Sequence, residues 1–216
     1  MTLCPDSTVS LVSPSINQPL FSGGTPVKLG IMASGSGSNF EAVAQAIANK
    51  QLNAQIQVLV YNNPGAKAAS RAANWGVEAV LLNHRDYTSR ESFDAQIVNT
   101  LQQYDVDWVI MAGWMRLVTP VLIDAFTDRI INIHPSLLPS FKGINAVEQA
   151  LVSGVKITGC TVHLVCLEVD SGPILMQAAV PVLPNDTTQT LHARIQIEEH
   201  RILPQAIAYA AASRSL

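Results

Sequence analysis

The stretch VKLGIMASGSGSNFEAVAQAI, residues Val27 to Ile47, passes from an apolar run through glycines and serines into a helical stripe. Val27 to Met32 has the short, β-branched-rich character of a buried strand. Phe40, Val43, Ala44 and Ile47 then fall on one side of a helix. Between them lies ASGSGSNFEA, Ala33 to Ala42, where the backbone must turn sharply. The unit reads as strand, turn and helix, and its repetition sets the expected fold.

The same alternation returns at Ile56 to Tyr61, Val77 to Leu82, Trp108 to Gly113 and Arg129 to His134, each run followed by a segment with helical spacing. TSRE at Thr88 to Glu91 has capping-box spacing ahead of Phe93, Ile97 and Leu101. Strands alternating with helices predict an α/β domain, a Rossmann-like open sheet whose N-terminal strands are mostly parallel, with helices on both faces.

After Gly154 the pattern changes: GCTVHLVCLEV and PILMQAAVPVL flank the turn signal DSG, which predicts an antiparallel pair joined by a loop at Asp170 to Gly172. A closing helix is expected from Thr188, carrying Leu191, Ile195, Ile202 and Ile207, with Pro204 starting a kink or a second helix. No internal repeat or linker divides the rest. The chain therefore reads as one domain over 27–216, preceded by a flexible extension over 1–26.

Composition narrows the function. The chain has 216 residues, 48% hydrophobic and 13% charged, enough to build a substantial core. No apolar stretch reaches the roughly 18 residues of a membrane span, so no membrane partner is expected. The first 26 residues lack both a basic start and a continuous apolar centre, so they do not read as a secretory signal. Cys4, Cys160 and Cys166 are an odd number without a close pair, which argues against a disulfide framework or a zinc knuckle and suits a cytoplasmic setting. A formal charge of −3 without a basic block gives no footprint for nucleic acid. Small molecules are the expected partners.

Three places carry candidate chemistry. The glycine loop Ala33 to Ala42 opens a helix, whose unpaired N–H groups and positive end suit a phosphate. It reads equally as an ordinary turn in which Ser38 caps the helix and Glu41 completes a capping box. It is neither a spaced GxGxxG nor a Walker loop, since no Lys follows.

The second place is INIHPSLLPSFKG, Ile131 to Gly143. In an extended segment Asn132 and His134 share a face while Ile131 and Ile133 take the other, and Pro135 keeps His134 extended. Both would stand at the carboxyl end of a strand, where open α/β sheets place ligands. A structural Asn and a hydrogen-bonded strand-end His are the plain alternative.

The third is Asp170 in EVDSGPIL, which reads first as a turn-former. If His134 lay nearby, its carboxylate would favour the imidazolium form. An Asn and a cationic His could then donate hydrogen bonds to an oxyanion on a carbonyl under attack. That is acyl-transfer chemistry without a nucleophilic side chain.

Other residues take plainer readings. His163 sits in an apolar run as a satisfied core histidine or a support to the site, and His84, His192 and His200 lack metal spacing, so no metal is expected. Asp105, Asp107, Arg90 and Glu199 read as solvated charges.

Taken together, MASGSGSNFEA, MAGWMRLV, INIHPSLLPSFKG, GCTVHLVCLEVDSGPILMQAAVPV and RIQIEEHRILP resemble the folate-dependent phosphoribosylglycinamide formyltransferases, from about Val27 to Tyr209 and in the family order. The resemblance implies the formyltransferase fold and formyl transfer from 10-formyltetrahydrofolate to the amino group of glycinamide ribonucleotide, in purine synthesis. It places the family's catalytic Asn, His and Asp on Asn132, His134 and Asp170, the substrate phosphate at Gly37, Ser38 and Asn39, and a ribonucleotide contact at Glu199. The folate co-substrate falls to Arg90, to Met115, Arg116, Leu117 and Val118, to Asn132, and to Leu167, Glu168 and Val169, with its pterin held mainly by backbone groups. A monomer or homodimer is implied. One departure stands out: many relatives carry His where KGINAVEQA has Asn145, and Asn cannot carry charge at neutral pH.

Methionyl-tRNA formyltransferases share the HPSLLP-type motif but would call for a further C-terminal domain, before which this chain is expected to end. Formyltetrahydrofolate deformylases would carry a regulatory domain for which 26 residues are expected to be too few. A non-catalytic nucleotide-binding module using Ser38 alone predicts that Asn132, His134 and Asp170 are scattered; an enzyme predicts that they meet.

Overall fold

The computed structural model describes residues 11–14 and 24–213. Within them, eight strands form one sheet: β1 (Val12–Ser13), β2 (Val27–Ala33), β3 (Ala54–Tyr61), β4 (Ala79–Leu81), β5 (Trp108–Met111), β6 (Ile130–His134), β7 (Ile157–Leu164) and β8 (Ile174–Pro181). The helices are α1 (Ser38–Ala48), α2 (Lys67–Asn74), α3 (Arg90–Gln103), α4 (Pro120–Ala125), α5 (Ala146–Val152) and α6 (Thr188–Ser213).

The order across the sheet is β1-β8-β7-β6-β5-β2-β3-β4. Strands β2 to β6 pair in parallel, while β6, β7, β8 and β1 pair antiparallel. From β2 the chain winds outward to β3 and β4, then returns to the other side of β2 for β5 and β6. The loops after β2 and β5 therefore diverge at a switch point, the position where open α/β sheets bind ligands.

Side-chain alternation builds two cores. Leu29, Ile31, Ala33, Ile110, Ile131 and Ile133 face α1 and α6, where Phe40, Val43, Leu191, Ile195 and Ile202 are buried. Met32, Val58, Val60, Val109, Met111 and Ile130 face α3 and α4, burying Phe93, Ile97, Leu101, Leu122 and Phe126. Both faces of the sheet are covered, which is why its strands are apolar at every step rather than at alternate steps.

Several local readings shift. The capping box at the start of α3 is made by Ser89 and Ser92, not by Thr88 and Glu91: each serine hydroxyl accepts the other residue's backbone N–H. A serine at the third helical position can close the box as Glu would. The final helix continues through Pro204 rather than restarting there, with Pro204 buried among Leu203, Ala206 and Ile207. Asp105 and Asp107 are tied to Lys28, Asp105 by an ion pair and Asp107 by accepting its backbone N–H. Of the 1–26 extension, most lies outside the described residues; within it, Val12 and Ser13 pair with Ala178 and Gln177, so this part docks on the sheet edge.

Candidate active site

The loop after β2 enters α1 through Gly37, at φ 73°. A Cβ there would lie 2.7 Å from Ala68 Cα, so both the left-handed backbone and the close approach of α2 demand glycine. No side chain caps α1. Ser38 is the first helical residue and accepts a hydrogen bond from Gln196 Nε2 at 2.9 Å. Glu41 turns away to accept from Arg71 Nη1 at 2.7 Å and Trp75 Nε1 at 2.8 Å. The guanidinium of Arg71, then the indole of Trp75, hold the Glu41 carboxyl below its ordinary range. The capped-turn reading of Ser38 and Glu41 therefore fails, and the first N–H groups of α1 keep their capacity for an anion.

Behind this cradle stands Glu199 of α6, only 5% exposed, where a surface charge was the plain expectation. Asn39 Nδ2 donates to its Oε2 at 3.0 Å, while Asn39 Oδ1 is buried without a hydrogen-bond partner. Burial pushes the Glu199 carboxyl up, against the opposing pull of the Asn39 bond. Glu199 belongs on the buried stripe that Leu191, Ile195 and Ile202 mark, four residues beyond Ile195.

At the end of β6, Asn132 and His134 share the sheet face opposite Ile131 and Ile133. His134 is 6% exposed; its Nδ1 lies 3.3 Å from Asp170 Oδ2 and its Nε2 lies 2.8 Å from the Phe141 carbonyl oxygen. Both oxygens only accept, so each ring nitrogen faces an acceptor for a proton. Asn132 Nδ2 lies 3.1 Å from His163 Nε2, whose ring is also 3.5 Å from Asp170 Oδ1 and pairs through Nδ1 with the Leu164 carbonyl at 2.8 Å. The β6–β7 register sets this up by placing His163 opposite Asn132.

Asp170 comes from the β7–β8 loop, at φ 49°. The loop closes tightly at Gly172, where a Cβ would lie 1.9 Å from the Leu164 carbonyl oxygen. Asp170 Oδ2 also accepts the Gly143 N–H at 2.8 Å, and Lys142 ties to Glu168 and Ser171 across the same gap. Burial pushes the Asp170 carboxyl up; His163, the Gly143 N–H and His134 outweigh it and hold the pKa below the ordinary value of 3.8.

The structure thus gathers Asn132, His134 and Asp170, which a binding module would have left scattered. It adds His163, for which the sequence left core and support to the site both open, and the Phe141 carbonyl and Gly143 N–H, which no side-chain pattern reveals. Asn145 occupies the left-handed region at φ 58°, before α5. Asn tolerates that backbone better than most side chains, a local reason for its presence.

The remaining predicted residues lie on two loops and at the start of α3. Met115 (77% exposed) and Leu117 (54%) follow β5, flanking Arg116 and leading to the half-buried Val118; Leu167 (66%), Glu168 and Val169 stand on the β7–β8 loop. Arg90 is exposed at the start of α3 and takes no part in the hydrogen bonds around His134. Among the described residues, no His, Cys, Asp and Glu group could hold a metal ion, and no helix is long and apolar enough to cross a membrane.

Residues 27–207 match the formyl transferase family. The chain is 39% identical over 180 residues to the phosphoribosylglycinamide formyltransferase of Bacillus subtilis, covering 83% of this chain and 92% of that protein. It is 40% identical over 180 residues to the human trifunctional purine biosynthetic protein adenosine-3, covering 83% of this chain and only 18% of that protein's length. The crystal structure of glycinamide ribonucleotide transformylase 1 from Symbiobacterium toebii superposes with a TM-score of 0.86 at 45% identity, over 88% of this chain and 90% of that one.

Proposed function

The chain belongs to the formyl transferase family, and from that premise we infer that it transfers a formyl group from 10-formyltetrahydrofolate to the amine of glycinamide ribonucleotide, a step of purine biosynthesis. The observation that carries the reading is the position of His134, with a ring nitrogen toward Asp170 and the other toward a carbonyl, beside Asn132 on the same strand. Such a pair of donors suits an oxyanion that forms when an amine attacks a formyl carbon.

In this mechanism His134 and the Asn132 amide donate to the formyl oxygen as the new C–N bond forms. His134 must first exchange its Phe141 carbonyl partner for that oxygen, while Asp170 keeps the ring oriented and charged. The bond from the formyl carbon to the donor nitrogen then breaks. The proton lost by the amine passes through water beside Asp170 to the departing nitrogen, and no covalent enzyme intermediate is needed.

The acceptor's phosphate fits the uncapped start of α1 at Gly37, Ser38 and Asn39, and its ribose hydroxyls fit the buried Glu199 carboxyl. The donor's pterin, a flat ring with alternating donors and acceptors, suits backbone groups of Met115 to Val118 and Leu167 to Asp170, and Arg90 suits a carboxylate of the same co-substrate. All these partners are small molecules, in keeping with a cytoplasmic enzyme, monomeric or homodimeric.

The test is the absorbance of tetrahydrofolate product released from the 10-formyl donor, with and without glycinamide ribonucleotide. Release that depends on the ribonucleotide is the expected outcome; release without it would mean hydrolysis, and no release would return the chain to a binding module.

A further inference from the structure

The segment Met115–Val118 is bracketed by two buried anchors that the reaction itself does not use. At its head, the Met115 N–H donates to Ser34 Oγ at 2.9 Å. At its tail, the N–H of Thr119 donates to Asp94 Oδ2 at 2.6 Å. Ser34 is 6% exposed and Asp94 1% exposed, so neither hydroxyl nor carboxyl is placed for solvent.

Each anchor is itself fixed. Ser34 directly follows β2, where its N–H donates to the Gly113 carbonyl at 3.1 Å and its own carbonyl accepts from Asn63 Nδ2 at 2.8 Å. Its hydroxyl is thus aimed by these two hydrogen bonds at a loop that begins on the neighbouring strand. Asp94 projects from α3 beside Phe93 and Ile97, both buried. Burial pushes its carboxyl up, and the Thr119 N–H and the nearby Arg116 charge pull it back. A carboxyl kept in such a place is costly unless its partner stays put. Pro120, at the first turn of α4, stiffens the chain immediately after the tail anchor.

Between the anchors Met115 and Leu117 point outward and only Val118 packs on the core, so the two hydrogen bonds fix where the segment starts and ends. A flat heterocycle read by backbone groups needs those groups preset, because a loop that reorders on binding spends part of its affinity on the ordering. We infer that Ser34 and Asp94 are positioning residues of the donor site, fixing the direction of the Met115–Val118 backbone for the pterin. The inference rests on the reading of that segment as the donor-binding wall. Ser34 carries a further meaning, because its own chain continues into the cradle at Gly37 to Asn39: one residue joins the walls of the two substrates.

The experiment is steady-state kinetics with 10-formyltetrahydrofolate and glycinamide ribonucleotide on wild type, Ser34→Ala, Ser34→Thr, Asp94→Ala and Asp94→Asn, with a fluorescence titration of each by tetrahydrofolate. Ser34→Ala and Asp94→Ala are expected to raise the donor KM about tenfold with the acceptor KM changed less than about twofold, the size of one lost hydrogen bond in binding. Ser34→Thr, which keeps the hydroxyl, and Asp94→Asn, which keeps an acceptor oxygen, should restore most of the donor affinity. A general loss of order would lower the melting temperature and raise both KM values together, and that result would overturn the inference. So would an unchanged donor KM in folded Ser34→Ala, which decides the matter if Asp94→Ala does not fold. A wild-type protein without ribonucleotide-dependent turnover is a separate failure, of the functional reading, and takes this inference with it.

Discussion

At the end of β2, Gly37 is wedged against Ala68, and Asn39 is tied to a carboxyl that α6 brings from the far end of the chain. At the end of β6, His134 meets Asp170 and the Phe141 carbonyl, on two loops that are themselves joined by Lys142, Glu168 and Ser171. The first region is shaped by backbone and helix packing and leaves polar groups unsatisfied: the uncapped start of α1 and the buried Asn39 Oδ1. The second satisfies its polar groups among themselves and must release one to work. A site for a ground-state anion can be held open permanently, whereas donors for a transient oxyanion can rest on internal partners until the reaction displaces them.

This contrast makes the β6 region sensitive to protonation and the β2 region sensitive to fit. The sharpest way to break it is His134→Ala, which should lower kcat roughly a thousandfold while circular dichroism shows the fold retained. Wild-type turnover by this variant would remove His134 from the chemistry. Asp170→Asn should cost about a hundredfold in kcat through loss of the charge that orients the ring.

Asp170→Asn also has a pH signature. The folded Asp170 carboxyl titrates below its ordinary value of 3.8, so its stabilisation is present above that value and lost as acid drives the pH through the folded pKa. Denaturation midpoints of wild type and Asp170→Asn should therefore differ at neutral pH and converge below 3.8. Parallel curves would contradict the pairing.

Glu199→Gln probes the other region. A mild rise in acceptor KM, about tenfold, is expected, with kcat kept within a few-fold. The sign of its stability effect is opposite to that of Asp170→Asn. Glu199 titrates above its ordinary value of 4.5, so its folded state is favoured in acid and penalised as the pH climbs through the folded pKa. Glu199→Gln should gain melting temperature over wild type on going from acid to neutral solution, and a constant difference would show that burial is not the cause. The smallest effect belongs to Lys142→Ala: its exposed ion pair with Glu168 predicts a rate change below about threefold that shrinks further in salt. A large loss would mean that the clasp between the two loops holds His134 in place.

The sheet was legible because residues such as Leu29, Ile31 and Met32 are apolar whichever face they take, and runs of that kind stand out against glycine-rich turns. The antiparallel turn at Asp170 was legible from DSG for the same reason. What escaped was chemistry carried by geometry rather than residue type. His163 reads as core or as a support to the site, and only the register that puts it opposite Asn132 decides between them. Ser34, the Phe141 carbonyl and the Gly143 N–H are backbone or near-backbone partners with no spacing rule. Glu199 was different: its charge gave it the reading of a solvated residue, although its place four residues after Ile195 on α6 carries the signal of burial.

The strand β1 has a meaning unrelated to catalysis. β8 would otherwise be the last strand on its side, with a row of N–H and C=O groups open to pairing, and an open edge is where one sheet adheres to another. Val12 and Ser13 occupy it, with the Ala179 N–H bonded to the Leu11 carbonyl at 3.0 Å and Val12 packed on the core beneath. Val12 and Ser13 thereby cover the middle of that edge, so removing them would leave Gln177, Ala178 and Ala179 of β8 with pairing groups open to another strand.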